Sequence, residues 1–289
     1  MTKINDNYRM HQDFSAYSHK TICSFFNKVL QITLLFCFIL LGLSEVFAQQ
    51  KTDKSFVVVL DAGHGGHDSG NRGNGYFEKK IALNIVLEIG KQLEKQTGVK
   101  IIYTRKTDVF VELIQRANIA NKANADLFVS VHCDAFTSPK AFGAGTFVLG
   151  LHANDRNFKV AQKENAVIFL EEDYEKNYDG FNPNDPESVI SLILMQETYL
   201  DQSIGAAGVI QKSFVSNLKR KDRTVKQAGF VVLKYTYMPS VLVETGFLTN
   251  KSEGSFLNSS KGQSKMSNAI AKAIINYKHL REASIQELV

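Results

Sequence analysis

The sequence from Val57 to Gly66 reads V-V-V-L-D-A-G-H-G-G, and this stretch decides the fold. Its apolar, β-branched first half is typical of a strand that is buried on both faces of an α/β sheet, beginning at Phe56. The glycines that follow break the strand into a turn that carries His64. Because ligands gather outside the carboxyl ends of strands in open α/β sheets, this turn is a candidate functional position.

The apolar spacing after the turn predicts a helix and then another strand. Apolar residues recur at every fourth position from Ile81 to Leu93, which places one stripe on a helix that ends near Gly98. Residues 99–104 read as the next strand. A strand, a helix and a strand in this order predict a right-handed parallel crossover.

The remaining patterns extend this alternation. Thr107-Asp108 is predicted to cap the next helix, and Asp185-Pro186 is predicted to open a long helix that runs to about Leu218. Further strands are predicted at 127–131, 143–149, 230–233 and 240–243, and a final helix at about 266–277. The predicted fold class is therefore α/β: a single domain with a twisted, mostly parallel central sheet of about six strands, flanked by helices.

The N-terminal region reads as an export signal at residues 1–48. An apolar run at 29–43 follows Lys20 and Lys28, and Val46-Phe47-Ala48 offers small residues for cleavage before Gln49. The run is shorter than the roughly 20 apolar residues that a membrane span prefers, although an uncleaved N-terminal anchor stays open. We expect export, to the periplasm, with membrane contact only through this segment. A linker at 49–55, a globular domain at 56–282 and a C-terminal tail at 283–289 complete the layout.

Composition restricts the partners and the chemistry. The net charge of +5 is mild and the basic residues are scattered, so a nucleic-acid partner is not expected. Of the three cysteines, Cys23 and Cys37 lie in the leader. The exported part keeps only Cys133, so it has no intramolecular disulfide and needs a self-sufficient core, for which its length is ample.

A single histidine cannot hold a catalytic metal ion, and two further residues are candidate ligands alongside His64. Glu78 stands at a helix start, and His132 follows the strand at 127–131, whose end can meet the same sheet edge as His64. Two histidines and one glutamate are an established zinc set that leaves a fourth position open. The spacing alone is a weak signal: Glu78 also fits a favourable anion in a helix first turn, and His67 is an alternative ligand.

Five ordered strings closely resemble the zinc-dependent N-acetylmuramoyl-L-alanine amidases of the type-3 family. The strings are L-D-A-G-H-G-G-H-D-S-G, E-K-K-I-A-L-N-I, T-R-K-T-D-V-F-V, L-F-V-S-V-H-C-D-A-F and M-P-S-V-L-V-E-T-G-F-L-T-N-K-S-E. The resemblance runs from about Phe56 to Tyr277. The resemblance implies one Zn²⁺ ion on His64, Glu78 and His132, with Glu244 as the catalytic carboxylate.

The implied substrate is peptidoglycan. The domain at 56–282 would be the catalytic domain, and it would cleave the amide between N-acetylmuramic acid and L-alanine in cell-wall remodelling and daughter-cell separation. Asp61 and Asp134 are expected to orient a histidine or brace a turn rather than bind the metal. Cys133 is expected to point away from His132, because adjacent strand residues face opposite sides.

An insertion at 152–185, here called the lid, interrupts the alternation with charged and amide residues. In relatives that act at division, a helical segment over the site places a glutamate on zinc and must be displaced by an activator. The resemblance implies the same device here, although the lid departs from better-known versions in length and in its acidic tail. Glu164 is the first choice for the zinc cap, and Glu171 and Glu172 are the fallback choices.

Two other function classes stay open from the residues alone. A zinc peptidase that cuts within the stem peptide would use the same chemistry, because both substrates are amides. A non-catalytic peptidoglycan-binding protein could keep the same fold, although the complete set of zinc and glutamate positions argues against it.

Overall fold

The structure, a computed structural model, describes residues 28, 30–36, 55–150, 155–178, 180–182, 184–185 and 197–287. The chain divides into two compact units, Met1–Lys54 and Ser55–Val289. In the first unit, residues 30–36 are helical and exposed, and most of the predicted export signal lies outside the described residues. No helix in the described part of the chain is long and apolar enough to cross a lipid bilayer.

The second unit is built on a six-stranded sheet. Its strands are β1 (Phe56–Ala62), β4 (Val99–Tyr103), β5 (Leu127–Asp134), β6 (Ala144–Leu149), β7 (Asp222–Ala228) and β8 (Ser240–Phe247), and a separate two-stranded ribbon joins β2 (Arg72–Gly73) to β3 (Tyr76–Phe77). The order across the main sheet is β4-β1-β5-β8-β6-β7. β8 and β6 pair antiparallel and the other neighbours pair parallel, which confirms the predicted mostly parallel α/β sheet.

Apolar side chains cover both faces of this sheet. On one face pack α1 (Glu78–Leu93), α5 (Glu197–Leu218) and α8 (Ser260–Gln286). On the other pack α2 (Leu113–Lys122), α6 (Val231–Lys234) and the lid, which contains α3 (Asp155–Asn165), a 3₁₀ turn (Ala166–Leu170) and α4 (Tyr174–Asn177). α7 (Lys251–Asn258) follows β8. Alternate residues of β1 enter the two apolar clusters, as its continuous apolar sequence predicts.

The strand predicted at 230–233 is wrong. Val231–Lys234 forms the helical turn α6, with the Phe230 ring 5.3 Å from the Phe147 ring, and the sixth strand is β7 instead. β7 lies at the sheet edge and is largely half-exposed, so its sequence D-R-T-V-K-Q-A shows no apolar run. A half-exposed edge strand has few apolar residues by which it can be recognised in the sequence. A short buried helical turn has a continuous apolar run, which is also typical of a strand.

Two helix boundaries also differ from the prediction. Asp108 does not cap α2, because its carboxylate accepts from the Gly66 backbone N–H at 2.9 Å and from Lys79 Nζ at 2.7 Å. The last helix continues to Gln286, past the predicted domain end at 282. The part of the predicted long helix at 186–196 lies outside the described residues.

Candidate metal centre

The turn after β1 has a backbone that only a few residue types adopt readily. His64 has φ 61°, and Gly65 and Gly66 also have positive φ. Gly63 is needed for a different reason: a Cβ atom there would lie 2.4 Å from Cε1 of His132. The glycines therefore let the histidine turn and the end of β5 approach each other closely.

Four buried side chains converge at the carboxyl edge of the sheet. His64, Glu78, His132 and Glu164 each offer one ligand atom, and these atoms all lie within 4.8 Å of one another. Nε2 of His64 lies 3.2 Å from Oε2 of Glu78, and Nδ1 of His132 lies 3.1 Å from Oε1 of the same carboxylate. The three ligands predicted from the sequence are thus brought together, and Glu164 of the lid joins them.

The donor set fits a zinc ion. Nε2 of His64 and Oε2 of Glu164 are buried without a hydrogen-bond partner in the described part of the chain, although they lie 3.0 Å apart. Buried polar atoms of this kind are expected where a metal completes the site. Two imidazoles and two carboxylates match the nitrogen and oxygen ligands that zinc prefers.

The electrostatics of the cluster also call for a cation. Burial alone would raise the pKa of Glu78, but the charges and hydrogen bonds of His64 and His132 outweigh it and hold the pKa well below its ordinary value. Burial would lower the pKa of His132, yet Glu164 and Glu78 raise it to about 10. The carboxylates of Glu78 and Glu164 therefore attract positive charge, which protonated His64 and His132 supply in this structure and which a metal ion would supply in their place.

Each histidine is held at the nitrogen that faces away from the cluster. Nδ1 of His64 lies 2.6 Å from Oδ2 of Asp68, and Nε2 of His132 lies 3.0 Å from Oγ of Ser130. Contacts of this kind fix the tautomer and ring orientation of metal-binding histidines. Neither Asp68 nor Ser130 was singled out in the sequence, although Ser130 is two residues before His132 on the same strand face.

Asp61 acts on His132 through Ser130. Its Oδ2 accepts from Ser130 Oγ at 2.6 Å, and its Oδ1 accepts from Arg116 Nη1 at 2.8 Å. Arg116 is buried and also donates to the backbone carbonyl of His64 at 2.9 Å. Asp134 pairs instead with Arg223 Nη2 at 2.9 Å. Among the described residues, it makes no hydrogen bond or ion pair with His64 or His132.

Glu244 lies next to His132 in the register of β5 and β8 and is fully buried. Neither of its carboxylate oxygens has a hydrogen-bond partner among the described residues. Burial raises the pKa of Glu244 well above its ordinary value, and the charges of Asp134, Glu164 and Glu78 add to this rise. A carboxylate held this way readily accepts and returns a proton.

The other candidates lie away from the cluster. His67 is exposed and stacks on Phe110 with ring centroids 4.1 Å apart. Glu171 accepts from the Leu113 backbone N–H at 2.9 Å, and Glu172 is exposed. Cys133 is buried with Sγ 3.2 Å from Thr245 Oγ1, and burial raises the pKa of its thiol well above the ordinary value, which disfavours the reactive thiolate.

Comparison with known proteins gives a consistent result. Residues 58–276 match the Amidase_3 family model, described as N-acetylmuramoyl-L-alanine amidase. The chain is 36% identical over 247 residues to the N-acetylmuramoyl-L-alanine amidase AmiA of Escherichia coli, covering 83% of each chain. AmiC2 of Nostoc punctiforme has a similar structure, with a TM-score of 0.58 and 30% identity over 78% of this chain and 97% of that one.

A third similar protein was solved together with a partner. The CwlD amidase of Clostridioides difficile, in complex with the GerS lipoprotein, gives a TM-score of 0.59 and 26% identity. The match covers 78% of this chain and 100% of that one.

Proposed function

Because the chain belongs to the N-acetylmuramoyl-L-alanine amidase family, we propose that it hydrolyses the amide between N-acetylmuramic acid and L-alanine in peptidoglycan, with one zinc ion held by His64, Glu78 and His132. The main support for the proposal is that one ligand atom from each of these residues and one from Glu164 all lie within 4.8 Å of one another. This cluster lies inside the matched range.

Different groups at the cluster would carry out different parts of the proposed hydrolysis. When bound, zinc lowers the pKa of its water towards about 7 and polarises the amide carbonyl. Glu244 takes the proton from the attacking water and returns it to the leaving nitrogen of L-alanine. Asp68 and Ser130 keep the two histidines oriented throughout. The products are a peptide-free glycan and a free stem peptide.

We propose that the resting enzyme is autoinhibited by Glu164. Its Oε2 lies 3.0 Å from both His64 Nε2 and His132 Nδ1, so with zinc on the three ligands it would occupy the position that water or substrate needs. A partner that displaces the lid would release the site. The solved complex of the CwlD amidase with a lipoprotein supports the idea that amidases of this fold engage protein partners.

The location of the enzyme is also a proposal. Peptidoglycan lies outside the cytoplasm, and the N-terminal pattern of basic residues, apolar run and small residues supports export to the periplasm. The segment at 1–48 would serve as a signal peptide or an anchor, ahead of the linker at 49–55 and the catalytic domain from Phe56.

Digestion of purified peptidoglycan tests the proposal. The zinc-loaded full chain and its Glu164→Ala variant are incubated with sacculi, and the products are identified by mass spectrometry. Free stem peptides together with peptide-free glycan are the expected products. Cuts within the peptides would instead identify a zinc peptidase, and no products from either zinc-bound protein would identify a non-catalytic binding protein.

A further inference from the structure

A cationic pocket lies at the outer edge of the sheet, next to β7. Its volume is about 440 Å³, and it opens between β7 and the loop that follows β5. Its charged lining consists of Lys140, Arg156, Lys221, Arg223 and Lys226 against the single carboxylate of Asp222. These residues define the cationic pocket, and their formal charges favour an anionic occupant.

The positive charges of the pocket are poorly matched by carboxylates. Of its five cationic side chains, Arg223 pairs with Asp134, and the other four have no carboxylate within 4.0 Å among the described residues. Arg223 Nη1 is buried without a hydrogen-bond partner there. Lys221 instead lies over the Phe142 ring at 4.7 Å, and Lys226 lies over the Phe147 ring at 5.2 Å.

Crowding of like charges is visible at Lys226. Burial lowers its pKa to about 8, and the charges of Arg223 and Arg156 contribute to the decrease, while Asp134 and Glu244 oppose it. An anion bound among these side chains would relieve the repulsion. The pocket therefore favours an anionic ligand, because the described part of the chain supplies too few carboxylates to balance its positive charges.

The strand register sets how far the cationic pocket lies from Glu244, the candidate base. Glu244 pairs with Gly145 on β6, and a Cβ atom on Gly145 would lie 3.3 Å from both Arg223 Cβ and Lys226 Nζ. Two strand spacings separate β8 from β7, or about 10 Å. Three residues of extended peptide span about the same distance.

The charge of the substrate indicates which of its parts can reach this pocket. On the glycan side, N-acetylated sugars are uncharged. On the leaving side, the stem peptide carries a free carboxylate on its D-glutamate, which is linked through its side chain, and another at its C terminus. Both lie within about three residues of the scissile amide in a tripeptide stem.

We propose that the cationic pocket binds the free carboxylates of the stem peptide on the leaving side of the scissile amide. The inference rests on the proposed amidase function, since it takes the stem peptide as the substrate's leaving group. Lys140 and Lys221 are exposed at the mouth of the pocket and meet the peptide first. Arg223 and Lys226 lie deeper and set its register relative to Glu244.

Calorimetry with the zinc-loaded full chain tests the proposal directly. The probe is the peptide N-acetyl-L-alanyl-γ-D-glutamyl-L-alanine, compared with its diamide, in which both carboxylates are carboxamides. The double variant Lys140→Ala/Lys221→Ala is expected to bind the free acid about tenfold more weakly than the wild type. Lys95→Ala, at an exposed lysine outside the pocket, is the matched control and should bind as the wild type does.

The outcomes separate this proposal from the amidase function. Equal binding of acid and diamide by the wild type, or an unchanged affinity in the double variant, would overturn the pocket while leaving digestion of sacculi intact. Inorganic phosphate that binds as tightly as the peptide would show a general anion site and overturn the peptide assignment. If sacculi yield no free stem peptides although the acid binds selectively, the amidase function fails and the leaving-side role fails with it, while binding of the peptide carboxylates in the pocket is still shown.

Discussion

Oε2 of Glu164 lies 3.0 Å from Nδ1 of His132, so a helix of the lid places a carboxylate directly against a candidate metal ligand. The same oxygen lies 3.0 Å from Nε2 of His64. The cluster is buried as a result, with His64 at 8% exposure and His132 at 6%. Under the proposed autoinhibition, this arrangement is closed to a polymer substrate.

Replacing Glu164 by alanine should open the site. We expect Glu164→Ala to raise basal hydrolysis of sacculi at least tenfold, because water and substrate gain the fourth ligand position. Glu172→Ala is the matched control, since Glu172 is exposed on the same lid, and its basal rate should not change. Equal basal rates in the wild type and Glu164→Ala would remove Glu164 from the inhibitory role.

Loss of one histidine should abolish zinc retention. We expect His64→Ala to lose stoichiometric zinc after dialysis, as measured by inductively coupled plasma mass spectrometry, because only one strong nitrogen ligand remains. His67→Ala, which removes the exposed neighbouring histidine, should keep one zinc ion per chain. Full zinc content in the His64 variant would contradict the ligand assignment.

Replacing the base should separate catalysis from metal binding. Glu244→Gln keeps the size of the side chain but cannot accept a proton, so kcat should fall by about 10²–10⁴-fold. Zinc content should stay at one per chain, because Glu244 is outside the four-residue cluster. The measurement is best made in the Glu164→Ala background, where turnover is highest. A kcat within threefold of that background would exclude Glu244 as the base.

Removing the contact behind His64 should weaken zinc binding without removing a ligand. Asp68→Asn loses the charge that lies 2.6 Å from Nδ1 of His64, and zinc affinity should fall about 10–100-fold in a competition titration with a chelator. Ser130→Ala should act in the same direction through His132. If both variants bind zinc as tightly as the wild type, these residues have only a structural role.

The peptide affinity should depend on pH through Lys226. Its pKa is lowered to about 8, so below this pH the ammonium attracts the peptide carboxylates and above it the neutral amine does not. The charged groups that face Lys226 are Arg223, Arg156, Asp134 and Glu244. Affinity for the free acid should therefore fall as pH rises through about 8.

Two comparisons isolate this effect. The diamide should bind with no such pH dependence, and Lys226→Met should bind the free acid more weakly than the wild type but with a flat profile. A profile in Lys226→Met that matches the wild type would assign the titration to another group.

The sequence predicted those parts of the fold that are buried on both sides. Strands β1, β5, β6 and β8 and the helix through Ile81 and Ile89 follow from continuous or periodic apolar residues, which leave few alternative burials. β4 lies at a sheet edge, but its apolar residues Val99, Ile101 and Ile102 still made it recognisable. β7 was not predicted because it is half-exposed at the sheet edge and its sequence contains no apolar run. Its residues Arg223 and Lys226 were missed for the same reason, since they line a pocket rather than a core.

The metal centre was only partly accessible to sequence reasoning. The convergence of His64, Glu78 and His132 depends on strand order, which residue spacing does not give, and the family resemblance implied only the ligand set itself. Asp68 could have been found, because it follows His64 by four residues in a tight turn. Ser130 carries no distinctive signal, since a serine inside an apolar strand is common. Its position becomes informative only when Asp61 is seen beside it.

Asn165, the last residue of α3, gives the closed lid a second attachment. Its side-chain oxygen accepts from the Val231 backbone N–H at 2.9 Å, and its amide donates to the Gly229 carbonyl at 2.7 Å. Because Asn165 directly follows Glu164, a rotation of α3 that withdraws the carboxylate also strips two buried backbone groups of their partners. If the proposed autoinhibition is relieved in this way, water or a partner chain would have to satisfy the Val231 N–H and the Gly229 carbonyl, because buried backbone groups do not stay unpaired.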